Sequence, residues 1–154
     1  MKKYYLLLFI LLLVFVGCSK KVDFMDQPAD DGQFYYTNKD LGFTLVLPPE
    51  FIYYQTQRVE TDDYIDIEFF VPTSDRAYPR EVPSYGKAIV VRVFSSSAWS
   101  SVDGDSEIKF IYEKVGEKGE NIYTIKFWKK IPVDWENKWT ELLNNSIKNN
   151  FKLN

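Results

Sequence analysis

Hydrophobic and polar positions follow three regimes along the chain. Tyr4 to Val16 is an apolar run without a charge, preceded by Lys2 and Lys3. Ser19 to Gly32 is polar, carrying Lys20, Lys21, Asp23, Asp26, Asp30 and Asp31, with Pro28 and Gly32 as breakers. From Gln33 the pattern becomes a period of two, which marks strands. Phe34–Thr37 and Phe43–Leu47 flank the turn-forming stretch Asn38–Gly42, and Pro48-Pro49 stops the second run. In Ile52–Thr61, Tyr54, Thr56 and Arg58 oppose Tyr53, Gln55, Gln57 and Val59. In Tyr64–Val71, Ile65, Ile67 and Phe69 oppose Asp66, Glu68 and Phe70, the signature of a half-buried antiparallel strand. Lys87–Phe94 is rich in Val and Ile. Glu107–Val115 and Asn121–Lys130 predict a hairpin around Gly116-Glu117-Lys118-Gly119. Pro72–Gly86 and Ser95–Asp105 read as long loops.

After Pro132 the period changes. Asp134 is placed as an N-cap. Trp135, Trp139, Leu142, Leu143, Ile147 and Phe151 follow at helical spacing, with Glu136, Asn137, Thr140, Glu141, Asn144, Asn145 and Lys148 opposite. The spacing predicts an α+β fold: an antiparallel sheet of about six to seven strands with a C-terminal amphipathic helix packed on one face. Residues 1–17 form a signal peptide, 18–32 a lipidated cysteine and flexible tether, and 33–154 a single globular domain.

The junction of the first two regimes carries the clearest functional signal. The apolar run is shorter than the roughly 20 residues a spanning helix needs, so it reads as a secretory signal. An ordinary cleavage site wants small residues in an A-x-A-like pattern, and Phe15 is too large for one. Val16-Gly17-Cys18-Ser19 instead resembles a bacterial lipobox. That resemblance implies a diacylglyceryl group on the Cys18 thiol and cleavage just before it. Cys18 is the only cysteine, so no disulfide forms within the chain. Each buried methylene contributes about 0.8 kcal/mol, and stable attachment takes more than one acyl chain. The expected address is the bacterial envelope, with the domain outside the cytoplasm and attached to the membrane through its lipid.

Composition narrows the chemistry. Without residues 1–17, the chain has 17 basic residues against 22 acidic ones, which argues against nucleic acid as a partner. There is no histidine, which removes Ser-His-Asp and Cys-His catalysis and histidine-rich zinc sites. No cofactor is implied. Eleven Tyr, twelve Phe and four Trp supply enough aromatic surface for a core without disulfides.

The segment "YYTNKDLGFTLVLPPEF" and the chain end "SIKNNFKL" resemble the PsbP-like superfamily. The pattern N-x-x-x-G-F-x-L-x-L-P is met by Asn38, Gly42, Phe43, Leu45, Leu47 and Pro48, and an S-x-x-x-x-F-like end by Ser146 and Phe151. The resemblance implies an antiparallel sheet with helices on its faces. It brings no catalytic residues.

Three constellations remain. Asp103-Gly104-Asp105-Ser106-Glu107 packs three carboxylates into five residues but lacks EF-hand spacing, so it reads as a turn, and no metal site is expected. Glu60, Asp62, Asp63, Asp66 and Glu68 could in principle supply paired carboxylates for glycoside hydrolysis; solvated edge charges are the simpler reading. Tyr78, Tyr85 and Trp99 lie in or beside the two long loops among small residues and prolines, a composition suited to binding a protein or glycan. The sequence thus points to a non-enzymatic, lipid-anchored binding or assembly module, with a carboxylate-dependent hydrolase of envelope polysaccharide as the alternative.

Overall fold

The computed structural model describes residues 28–102 and 106–154. The signal peptide, Cys18 and most of the tether lie outside the described residues, as do Asp103, Gly104 and Asp105. The fold is α+β with antiparallel sheets. The strands are β1 (Phe34–Asn38), β2 (Phe43–Leu47), β3 (Gln55–Glu60), β4 (Tyr64–Pro72), β5 (Tyr85–Ser95), β6 (Glu113–Lys118), β7 (Asn121–Phe127) and β8 (Lys152–Leu153). The helices are α1 (Ser96–Val102), α2 (Ser106–Ile111) and α3 (Glu141–Asn149).

The single sheet expected from the pattern is instead two. One has the order β1-β2-β8 and the other β3-β4-β5-β7-β6. The split occurs at Pro48-Pro49, where two residues without a backbone N–H stop the ladder. A 3-10 turn at Pro49–Phe51 and a left-handed Tyr53 (φ 66°) then redirect the chain into β3. The smaller sheet closes with β8, which pairs Phe43 with Leu153 and Thr44 with Lys152.

The pattern residues of the first hairpin have direct structural causes. Asn38 Oδ1 accepts the Leu41 N–H at 2.9 Å, and Gly42 takes φ 67°, a conformation that favours glycine. Phe43, Leu45 and Leu47 are then fully buried against Ile67, Phe69, Val91 and Tyr123 of the larger sheet. The Tyr123 hydroxyl donates to Leu41 O at 2.7 Å and ties the two sheets together. At the other hairpin the turn falls later than predicted, because Gly116, Glu117 and Lys118 belong to β6. Lys118 pairs with Asn121, and Gly119 (φ 61°) opens a two-residue turn.

The C-terminal segment departs from one long helix. Val133–Trp135 is a 3-10 turn, Thr140 is extended, and the helix begins only at Glu141. Thr140, not Asp134, is the N-cap: its side chain accepts the Leu143 N–H at 3.2 Å. Packing explains the break. Trp139 sits 4.7 Å from Trp128, 5.9 Å from Phe51 and 5.9 Å from Phe127, so the chain bends to seat it there. Within α3 only Ile147 is buried, and Leu142 is 80% exposed. Asp134 bonds elsewhere, to Thr73 Oγ1 at 2.7 Å and Ser74 N at 2.8 Å, while Asp75 accepts the Val133 N–H at 3.2 Å. The two aspartates hold the start of the 73–84 loop against the 133–135 turn.

Two further expectations change. Ser96–Val102 is helical rather than loop, and the segment expected to begin a strand at Glu107 makes up nearly all of α2; β6 starts at Glu113. Among the described residues, no helix is long and apolar enough to cross a membrane.

Candidate functional site

The five-stranded sheet has two faces. Ile67, Phe69, Ile89, Val91, Val93 and Ile125 face the core between the sheets. The other face of β4 carries Asp66 and Glu68. The register sets Asp66 opposite Arg92, and Arg92 opposite Thr124. A bulge between Phe69 and Phe70 places Lys87 opposite Phe70, one step from Glu68.

These groups are not solvated edge charges. β4 is an interior strand between β3 and β5, and Asp66 and Glu68 are 4% and 7% exposed. Arg92 binds Asp66 through two parallel contacts, Nε–Oδ1 and Nη2–Oδ2, both 2.7 Å. Its guanidinium lies 3.4 Å from the Tyr64 ring centre and 4.3 Å from that of Tyr112. Lys87 Nζ reaches Glu68 at 2.6 Å and Glu81 at 2.5 Å. Burial works against the charge of Arg92 and of Lys87, yet the hydrogen bonds they donate to their carboxylate partners outweigh it and hold both pKa values above the ordinary range. Burial also raises the Tyr112 pKa, partly offset by Arg92.

Asp66 and Glu68 are two residues apart on one strand face, roughly 7 Å between Cα atoms. Glycosidase carboxylate pairs flank the scissile bond, with their carboxyl groups about 5–9.5 Å apart. Here, however, both lie side by side on one strand, and each is a counter-ion to a cation. Held in this way, both carboxylates accept hydrogen bonds from Arg92 and Lys87 and point along the same sheet face. Glu60, Asp62 and Asp63 are exposed at the β3–β4 turn.

The aromatic residues singled out from the loops are dispersed by the fold. Tyr78 is half-buried, edge-on to Trp128 at 6.5 Å, and its ring lies so close to Gly86 that a Cβ there would stand 3.2 Å from Tyr78 Cε1. Burial raises its phenol pKa. Tyr85 is half-buried at the start of β5. Trp99 is half-buried on α1, with its ring 5.4 Å from Phe94 at the far end of the same strand. Gly86 and Phe94 are eight residues apart, about 26 Å along a strand, so the three rings do not share one surface. Glu107 is exposed on α2, and the rest of the expected acidic turn lies at or beyond the edge of the described residues.

A different set of residues gathers where the described chain begins. Ala29–Gln33 forms a tight turn, with Gly32 N donating to Ala29 O at 2.8 Å. Asp31 accepts from Gln33 N at 2.9 Å and from the Tyr35 hydroxyl at 2.6 Å. The Tyr35 hydrogen bond, helped by that of Gln33, lowers the Asp31 pKa. Asp31 and Gln33 border a shallow depression of about 170 Å³ together with Val46, Pro48, Pro49, Ser146 and Ile147. Small-molecule sites usually enclose about 300 Å³ or more. Ile52 and Tyr53, each about half exposed, follow Pro49 in the chain, and the exposed Leu142 lies four residues before Ser146 on α3. Sequence reading assigned Ile52 and Tyr53 to a strand; the signal that they belong to a turn was the preceding Pro48-Pro49. No protein-family model, curated protein or solved structure matches this chain.

Proposed function

We propose that the protein is a bacterial envelope lipoprotein, a PsbP-like α+β domain attached to a membrane through acylated Cys18 and serving as a non-enzymatic binding or assembly module. The observation that carries this reading is the position of the only cysteine, directly after the apolar run and Gly17. The ion pairing of Asp66 and Glu68 supports a module over a hydrolase, because it commits the two best-placed carboxylates to Arg92 and Lys87. The partner class is a protein or glycan of the envelope, with Tyr78 and Tyr85 near one end of β5 and Trp99 near the other as separate candidate contacts. The net acidity of the chain disfavours nucleic acid.

Metabolic labelling with a fatty-acid probe tests the anchor. The wild-type chain should take up the label and Cys18→Ala should not. Equal labelling of the two would overturn the reading.

A further inference from the structure

We propose that the domain does not hang free from its lipid but rests on the bilayer, with Ile52, Tyr53 and Leu142 inserted into the interfacial layer. This rests on acylation at Cys18.

Nine residues, 19–27, separate Cys18 from Pro28. However they are arranged, the ten steps from Cys18 to Pro28 reach at most about 36 Å. A domain of this size is roughly 35 Å across. With the opposite pole on the membrane the tether would have to run out around the domain and down, about 45 Å, which exceeds its reach, whereas the end that carries Pro28 stays within reach of the membrane. That end can be identified. Gly32 lies beside Pro49, and Asp31 and Gln33 share the depression with Pro48, Pro49 and Ser146. Ile52 and Tyr53 follow Pro49 in the same turn. Leu142 lies four residues before Ser146, hence one turn along the same face of α3. These residues are 50%, 53% and 80% exposed, and they make up half of the six large exposed hydrophobic residues among those described.

The turn is built to present them. Phe51 is buried against Trp135 at 6.0 Å and Trp139 at 5.9 Å. Tyr54 packs on Phe34 at 6.0 Å and Phe69 at 6.1 Å. With both flanks fixed inward, Ile52 and Tyr53 are forced outward, and Tyr53 is held at φ 66°, a conformation unfavourable for a bulky residue. A tyrosine beside an aliphatic side chain suits the membrane interface, where one end of the ring is apolar and the other wet. Asp30, Asp31, Glu50 and Glu141, which neighbour these segments in the chain, are all exposed. The contact is therefore apolar, and anionic lipid should weaken it.

The test uses the full-length, acylated protein carrying Ile52→Cys, Leu142→Cys or Glu120→Cys. Acylation blocks Cys18, so the introduced thiol is the only one free to take an environment-sensitive fluorophore. Glu120 lies in the β6–β7 turn, next to the end of the small sheet opposite Pro48: Lys118 bonds the Asn154 carbonyl, and Asn154 N donates to Gly42 O. In phosphatidylcholine vesicles the dye at Ile52→Cys and Leu142→Cys should shift to the blue and lose emission to nitroxide-labelled lipid. The dye at Glu120→Cys should do neither. Adding phosphatidylglycerol should reduce the shift. Water-like emission at Ile52→Cys, equal to that at Glu120→Cys with one dye per chain, would overturn the docking while leaving the anchor in place. Two dyes per chain would mean a free Cys18 and would overturn the anchor, and the docking with it.

Discussion

The Asp66–Arg92 pair offers the sharpest quantitative check of the fold. The two side chains are 6% and 15% exposed, and the carboxylate and guanidinium meet in a bidentate contact at 2.7 Å. Removing one partner from a buried pair costs about 3–5 kcal/mol, because the other charge is left uncompensated. The two halves of the pair are not equivalent. In Asp66→Val, the guanidinium keeps the faces of Tyr64 and Tyr112, and each cation–π contact contributes about 0.5–2 kcal/mol. Its cost should sit near the lower end, about 3 kcal/mol. In Arg92→Met, the buried Asp66 carboxylate loses the cation that pairs with it. Its cost should be nearer 5 kcal/mol.

The double variant Asp66→Val/Arg92→Met replaces the pair by apolar side chains of similar reach. Such exchanges are often close to neutral, so most of the loss should return. Denaturant unfolding followed by far-ultraviolet circular dichroism gives all four corners of the cycle. A loss of about 3 kcal/mol corresponds to a fall in Tm of roughly 10 °C for a domain of this size. Single losses below about 1 kcal/mol that simply add in the double variant would refute the reasoning. They would mean that water reaches the pair and that this face of the sheet is open.

Two further outcomes follow from the packing. Trp139→Ala should cost about 3–5 kcal/mol, since the ring contacts Phe51, Phe127, Trp128 and Trp135; an unchanged denaturant midpoint would show that the aromatic cluster does not form. For Asp134, partial burial raises the pKa, but the Ser74 N–H and the Thr73 and Ser74 hydroxyls win and lower it below 3.8. A depressed carboxylate contributes stability that is fully present above the unfolded value and is lost as pH falls through the folded one. The stability gap between wild type and Asp134→Ala should therefore be full above about pH 5 and should close toward about pH 2; a gap constant over that interval would sever the link between this carboxylate and the loop it holds.

Local periodicity made individual strands readable but not their company. The alternation of Ile65, Ile67 and Phe69 against Asp66, Glu68 and Phe70 is a property of one strand, and it survives in the fold. Whether the polar face meets water depends on which strands lie alongside, and Arg92 is 26 residues away in sequence. Two carboxylates facing out of an edge strand and two carboxylates buried beside cations give the same one-dimensional pattern. The Ser95–Ser101 stretch fails for a related reason. Serine is a poor helix former because its hydroxyl competes for backbone groups, but here that bonding works within the helix. Ser95 Oγ accepts the Ala98 N–H at 3.1 Å, while the Ser100 and Ser101 hydroxyls donate to the carbonyls of Ser96 and Ser97 at 2.8 and 3.1 Å. Helical spacing from Trp135 to Phe151 misled in the opposite direction, since the spacing of Trp135 and Trp139 reflects one aromatic cluster and that of Leu143 and Ile147 a separate helix. The candidate membrane contact was hidden most completely. A pattern scan scores Ile52 and Tyr53 as apolar and sends them inward, and only the opposing pull of Phe51 and Tyr54 on either side turns them out to the surface.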